Sequence, residues 1–466
     1  MRSFLTNMRI RGKLVLILFF CFVYYHNSCF GQYQYQFSVD NKYVSKDIMI
    51  SDVDSLFGCI TAYHPNPYLY ISKEELDKKI RLLKESLEDS LPINDFCLRF
   101  MHTLTSIGDG HMAVYFNTLY DDKEKTYILP LEKLNYEIVG RKLYLIKKNS
   151  FDFPFDSGSE ILSINNIASQ VILDSLRQYT FADAKNLQFK NKMLTGGALP
   201  TLYHEIFKNR KSVTVLVRDG GKKKQFLIEK TNLEHPVDGT IYLENGIIDP
   251  DSRNYGYFKI GTFMFGELEG FSIREQFKKI NERGIQTVAL DLRNNNGGDG
   301  NFMTKYISHF IKEPLTPYNV TAKDTLLKLI PSFDSLVQIT NAPVKPDSIY
   351  FNGDVYVIIN GATFSAAALL AANLKSVRNA TIVGQETGGS KSIVTAGIEL
   401  PFQSVVCPIV LSFGGLSIKS APHLRIQSQD VGVVPDKIIE YTIEDIVKKK
   451  DLELQWIEND IKTRAN

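Results

Sequence analysis

The chain has 466 residues, too many for one ordinary core, so two or three domains are expected. Hydrophobic content of 44% and charged content of 23% exclude a disordered chain, and a formal net charge of +2 gives no cue for nucleic acid or an anionic membrane surface as partner.

Arg9, Arg11 and Lys13 precede an apolar run from Leu14 to Tyr25. A basic segment followed by such a run reads as a secretory signal. The run is shorter than the about 20 residues that span a bilayer. We read residues 1–32 as a signal cleaved near Gly31 or Gln32, which implies an exported, periplasmic or extracellular protein with no stable membrane span after cleavage. An uncleaved N-terminal anchor is the alternative. The residues before Cys29 do not fit a lipoprotein signal. Cys59, Cys97 and Cys407 remain, an odd number that excludes a disulfide-stapled fold and favours buried free thiols. HExxH is absent and no His or Cys cluster has zinc-ligand spacing, so neither metal nor cofactor is expected.

Residues 40–125 read as an N-terminal helical region ending in a histidine motif. Leu76, Ile80 and Leu83 lie on one helix face, and Ser72 with Glu75 forms a capping box. Residues 126–232 read as β-rich. Lys142–Ile146 and Ser212–Arg218 alternate like half-buried strands, and Asp219-Gly220-Gly221 turns into a hairpin partner. Residues 232–252 carry linker punctuation. The rest alternates: strand Tyr255–Ile260, helix Leu268–Arg283, strand Gln286–Leu292, helix Met303–Ile311, strand Asp354–Ile359, helix Ala366–Val377, strand Thr381–Val383. Strands separated by helices argue for a mostly parallel sheet with crossovers, and so for an α/β core over 240–460.

Three places carry candidate chemistry. A buried strand runs through Asn360-Gly361-Ala362-Thr363-Phe364 into Ser365, where a helix begins. A hydroxyl there sits at the positive end of a helix dipole, beside amides without helical partners. That suits a nucleophile with an oxyanion hole, and it also suits a plain N-cap. The loop Asp291-Leu-Arg-Asn-Asn-Asn-Gly297-Gly298 ends a strand with glycines that permit close backbone approach. Gly108-Asp109-Gly110-His111 places an imidazole, the natural base for a serine, at the start of a β run.

Together these segments resemble the tail-specific, C-terminal processing and tricorn-core serine peptidases. Val288–Gly298 resembles that family's Asp-Leu-Arg-x-Asn-x-Gly-Gly signature, and Tyr356–Ala368 its nucleophile segment. Ile382–Gly389 resembles its Gly-x-x-Thr-x-Gly loop. Gly432–Asp436, Thr442–Asp445 and Lys450-Asp451 resemble its C-terminal signature. Gly108–His111 resembles the histidine motif of the tricorn-like branch. The resemblance implies Ser365 as nucleophile, His111 as base, and an oxyanion hole from the amides of Gly297 or Gly298 and of Ala366. It implies a ClpP/crotonase-like catalytic core and a divergent PDZ-like domain around Gly158–Asn165.

Two departures stand out. Ser390 occupies the place of the family's catalytic lysine, with Lys391 one residue on as the alternative base. Where the histidine branch has a glutamate, this chain has Gln429, with Asp430 beside it as the other candidate third member. The reading is an exported serine endopeptidase acting on peptides or protein C-terminal tails. The competing readings are a peptidase-like peptide or lipid carrier without turnover and, disfavoured by the export signal, a crotonase-like acyl-CoA enzyme.

Overall fold

The computed structural model describes residues 42–116, 127–147, 153–209, 211–232, 246–248, 254–263, 272–404, 407, 409–420, 424 and 432–465. The signal read over 1–32, with Cys21 and Cys29, lies outside these residues, as does the Gln429-Asp430 segment. Among the described residues no helix is long and apolar enough to cross a membrane. Cys59, Cys97 and Cys407 are free and buried.

After a three-residue strand, Tyr43–Ser45, come three helices: α1 (Lys46–Tyr63), α2 (Lys73–Glu85) and α3 (Ile93–Leu104). Helix α2 starts where Ser72 Oγ accepts the Glu75 amide at 3.1 Å, and buries Leu76 and Leu83. Helix α3 buries Phe96, Cys97, Phe100, Met101 and Leu104. The chain then turns through the Gly108–His111 loop into the short strand β1 (Ala113–Phe116).

The stretch read as PDZ-like holds an antiparallel sheet. Its strands are β2 (Asn135–Val139), β3 (Lys142–Ile146) and β4 (Glu160–Ile164), then β5 (Ser212–Asp219) and β6 (Lys222–Glu229), in spatial order β6-β5-β4-β3-β2. Strand β5 buries every second residue, including Val213, Val215 and Val217, which is the period-two signature of a half-buried strand. The β-rich reading missed three helices between β4 and β5: α4 (Ser169–Arg177), α5 (Leu187–Met193) and α6 (Leu199–Phe207). Helix α4 has its apolar stripe at Ile172, Leu173 and Leu176. Such a stripe carries helical rather than strand spacing.

The remaining chain builds the parallel sheet. Its elements are β7 (Gly246–Ile248), β8 (Gly256–Lys259), α7 (Ile273–Glu282), β9 (Thr287–Asp291), α8 (Gly300–Ser308), β10 (Tyr318–Ala322), β11 (Asp354–Ile359), α9 (Ala366–Arg378), β12 (Thr381–Gly384), β13 (Ile393–Gln403), β14 (Ile409–Ser420), β15 (Lys437–Ile438) and α10 (Leu452–Ala465). The strand order is β7-β8-β9-β11-β12-β15, parallel throughout except for β7, which pairs antiparallel at the edge inside the stretch read as a linker. Both faces are covered. Val288, Leu290, Val357 and Ile359 face the main core; Ala289, Tyr356 and Ile358 face Leu454 and Ile457 of α10. Covering both faces is what turns these strands into near-continuous apolar runs.

A second sheet was not anticipated. Strands β13 and β14 form a long hairpin; the other edge of β14 pairs with β1 near its start and with β10 near its end. Ser412 lies opposite Ala113, so the strand that leaves the histidine loop is hydrogen-bonded to a segment from the other end of the sequence. That pairing brings His111 to the parallel sheet.

Candidate active site

Ser365 stands between β11 and α9 with φ +51° and ψ −126°. A non-glycine residue in that region carries strain on the order of 1–3 kcal/mol, held by its surroundings. A serine could earn its place here as the N-cap of α9, but its side chain makes no cap hydrogen bond. The hydroxyl is half-buried and is not spent on holding the helix.

The turn before it is fastened to the glycine loop. Thr363 Oγ1 donates to Leu292 O at 2.8 Å, Asn360 Nδ2 donates to Asn294 Oδ1 at 2.9 Å, and Phe364 N donates to Asn295 O at 2.9 Å. Asn295 is fully buried; its Nδ2 donates to Ile260 O and its Oδ1 accepts the Gly297 amide, both at 2.8 Å. Gly297 presses against the serine. A Cβ built there would stand 2.7 Å from Ser365 Cβ and 3.0 Å from Ala366 N, so only glycine permits this approach. Since the Gly297 amide is committed to Asn295, two backbone donors remain near Ser365, on Gly298 and Ala366. Neither donates a hydrogen bond recorded among the described residues.

His111 reaches the same place. Its ring lies 4.5 Å, centroid to centroid, from the ring of Phe364, the residue preceding Ser365. Phe364 in turn stacks on Phe189 of α5 at 4.4 Å and 14°. The His111 side chain is 12% exposed, yet both ring nitrogens are enclosed and neither has a hydrogen-bond partner, so the imidazole is not hydrogen-bonded to Ser365. Burial pushes the imidazole down to about 4 against the pull of the Asp109 carboxylate. It is therefore neutral near pH 7 and able to take a proton. Gly110 precedes it. A Cβ at that position would come 2.8 Å from Phe364 Cζ and 3.0 Å from Asp183, so the packing admits no larger residue there.

Acidic groups surround the imidazole. Asp109 Oδ1 accepts the His111 amide at 2.7 Å and lies 3.9 Å from Nδ1; its Oδ2 is bonded to His64 Nε2 at 2.7 Å. Burial raises the Asp109 carboxyl, but the bond to His64 and its charge outweigh that and hold it below the usual range. Asp183, 5% exposed, is pushed up to about 7 by burial and then by the charge of Asp109. Asp109, His111 and Asp183 offer ligand atoms within 4.8 Å of one another. The carboxylates are already committed to His64 and to backbone amides, so the group is not an open metal cradle, and the charge that acts on the imidazole is that of Asp109.

Lys391, the alternative base, is half-buried, and its carbonyl is held by Ser420 Oγ. Among the described residues no hydrogen bond or ion pair joins its ammonium to Ser365. The neighbouring Ser390 is buried, with its amide bonded to Asp183 Oδ2 at 3.0 Å and its hydroxyl to Ser392 at 3.0 Å. Gln429 and Asp430 lie outside the described residues. Sequence reasoning assigned no role to His64, Asp183, Phe189 or Asn295. His64, between Tyr63 and Pro65 at the end of a helix, left a faint signal; Asp183 and Phe189 left none.

The Asp-Leu-Arg signature has its own structural use. Arg293 bonds Asp291 through Nε (2.9 Å) and one terminal nitrogen (2.6 Å), and reaches Asp451 at 2.7 Å and Glu453 at 3.1 Å. Tyr257 donates to Asp291 at 2.6 Å. The strand end that launches the glycine loop is thereby locked to the start of α10.

Residues 254–414 match peptidase family S41. The carboxyl-terminal-processing protease of Synechocystis sp. is 24% identical over 196 residues, which are 41% of this chain and 40% of that protein. The carboxy-terminal processing protease CtpB of Bacillus subtilis is 23% identical over 199 residues, 42% of this chain and 38% of that protein. The matched stretch thus spans about two fifths of these relatives. Among solved structures, mature CPAF superposes with a TM-score of 0.65 at 16% identity, covering 90% of this chain and 96% of that one, a likeness of fold. The match takes in Asp291–Gly298, Ser365 and the Thr387–Gly389 loop; with an α/β core built on a parallel sheet, residues 254–414 are a peptidase family S41 domain related to the carboxyl-terminal processing proteases.

Proposed function

We propose that this chain is an exported serine endopeptidase that hydrolyses peptides or the C-terminal tails of unfolded proteins. The observation that carries the reading is Ser365: a strained, left-handed residue whose hydroxyl caps nothing, pressed against Gly297 and one residue from the ring that His111 packs against. Strain of this kind persists where it serves a site. A carrier without turnover gains nothing from it, so the geometry favours hydrolysis over the carrier reading.

The chemistry is acyl transfer. Ser365 Oγ adds to the peptide carbonyl carbon while its proton passes to His111. The amides of Gly298 and Ala366 take the developing oxyanion, at the N-terminus of α9 where the helix dipole is positive. Collapse breaks the C–N bond, and the imidazolium returns the proton to the leaving amine. Water then adds to the acyl-serine by the same route, restoring Ser365 and releasing the new carboxylate. The neutral His111 can accept the first proton; the Asp109 carboxylate stabilises the imidazolium that results. Gln429 or Asp430 remains the candidate for orienting the ring from outside the described segments, and Lys391 remains the alternative base.

The test is hydrolysis of a chemically unfolded protein, followed by gel and mass spectrometry. Ser365→Ala and His111→Ala should each lower kcat by about a thousandfold or more with thermal unfolding unchanged. The reading would be falsified if Ser365→Ala retained wild-type turnover. Binding of an unfolded chain or a lipid without hydrolysis, unaffected by Ser365→Ala, would establish the carrier reading instead.

A further inference from the structure

The segment 183–189 belongs to the antiparallel-sheet unit, yet it touches the His111 loop, the Thr387–Ser390 loop and the turn before Ser365. Asp183 Oδ1 accepts the amide of Gly110 at 2.9 Å, and its Oδ2 accepts the amide of Ser390 at 3.0 Å. Ala184 N donates to Gly108 O at 2.8 Å, and Ala184 itself is held at φ +53°, a strained backbone for alanine. Asn186 Nδ2 donates to Thr387 O at 2.9 Å while its Oδ1 caps α5 through Phe189 N at 2.9 Å. Phe189 then stacks on Phe364, whose other neighbour is His111.

We propose that Asp183 is a positioning residue that holds the His111 loop against the Thr387–Ser390 loop, which is itself bonded to the Ser365 turn through Gly389 N and Thr363 O, with Phe189 packed against Phe364 of that turn. The inference rests on the peptidase reading. One carboxylate spans two catalytic loops and gives each an acceptor, so it fixes their separation. Each amide it serves lies in a buried place, where a backbone donor needs an acceptor. Its burial beside Asp109 raises its proton affinity. Misplacing the imidazole by about 1 Å is enough to cost on the order of a hundredfold in rate.

Asp183→Asn keeps one acceptor and turns an amide N–H₂ toward the other backbone donor, so one of the two ties is lost. Expected is a fall in kcat of about 10- to 100-fold with KM within about twofold, in protein whose thermal midpoint shows it folded. Phe189→Leu, which keeps the site apolar and removes the flat ring, is measured in parallel and should lower kcat by several-fold, again without moving KM. A folded Asp183→Asn with wild-type kcat, or a loss carried by KM alone, overturns the proposal. Should Asp183→Asn not fold, Phe189→Leu decides by the same two outcomes. Ser365→Ala separates the readings. If it is inactive and the two variants are normal, only the positioning role falls; if it still turns over, the peptidase reading falls and takes this one with it.

Discussion

Ser365 combines two properties that an ordinary helix cap does not: a left-handed backbone and an unspent hydroxyl. A working N-cap loses about 1 kcal/mol when serine becomes alanine. Ser365→Ala should therefore leave stability within about 0.5 kcal/mol, the usual range for a change that breaks no interaction. Ser365→Gly, which relieves the positive φ, should exceed Ser365→Ala by about 1 kcal/mol in denaturant unfolding. A loss of 1 kcal/mol or more in Ser365→Ala would return the residue to a capping role. The sequence marked Ser365 and His111 because a strand–turn–helix junction and a glycine–histidine turn are local patterns. It could not mark Asp183 or Phe189, because an aspartate in a loop and a phenylalanine on a short helix look like any others until the fold carries them to Gly110 and Phe364.

At the level of elements, the Asp-Leu-Arg signature joins β9 to α10. Asp291 is fully buried and Glu453 is 2% exposed, and both are paired with the Arg293 guanidinium. Removing one member of a buried pair strands the other, at a cost of about 3–5 kcal/mol. Arg293→Ala should lose that much stability by urea unfolding at pH 7, with activity falling as the glycine loop loosens. Burial raises the Asp291 carboxyl, but the Arg293 bonds and charge outweigh it and hold it below its ordinary 3.8. The folded state thus binds that proton less readily than the unfolded chain. The stability is full above pH 3.8 and is lost as pH falls through the lower folded value. The gap between wild type and Arg293→Ala should accordingly shrink below about pH 4. A gap that stays constant from pH 7 to pH 3 would remove Asp291 from the explanation.

Over the whole molecule, the parallel sheet was legible because β8, β9, β11 and β12 are buried on both faces and alternate with capped helices. Asp354–Ile359 and Ala366–Arg378 lie within a residue of where the apolar runs placed them. The β13–β14 hairpin was not legible. Gly397 and Pro401 interrupt its first strand, and the register slips between Ala396 and Glu399, so neither a strict alternation nor an unbroken apolar run survives. Its pairing with β1 is also a long-range contact that no local pattern announces. That pairing, with the Asp183 tie, makes a site out of two loops distant in sequence.

The most direct test is to treat the folded, signal-free protein with a fluorophosphonate at neutral pH and map the adduct by peptide mass spectrometry. The account predicts one phosphonylated residue, Ser365, with labelling abolished by prior unfolding and slowed at least a hundredfold in His111→Ala. An unmodified Ser365 in folded protein, or labelling that proceeds at full rate without His111, would contradict it.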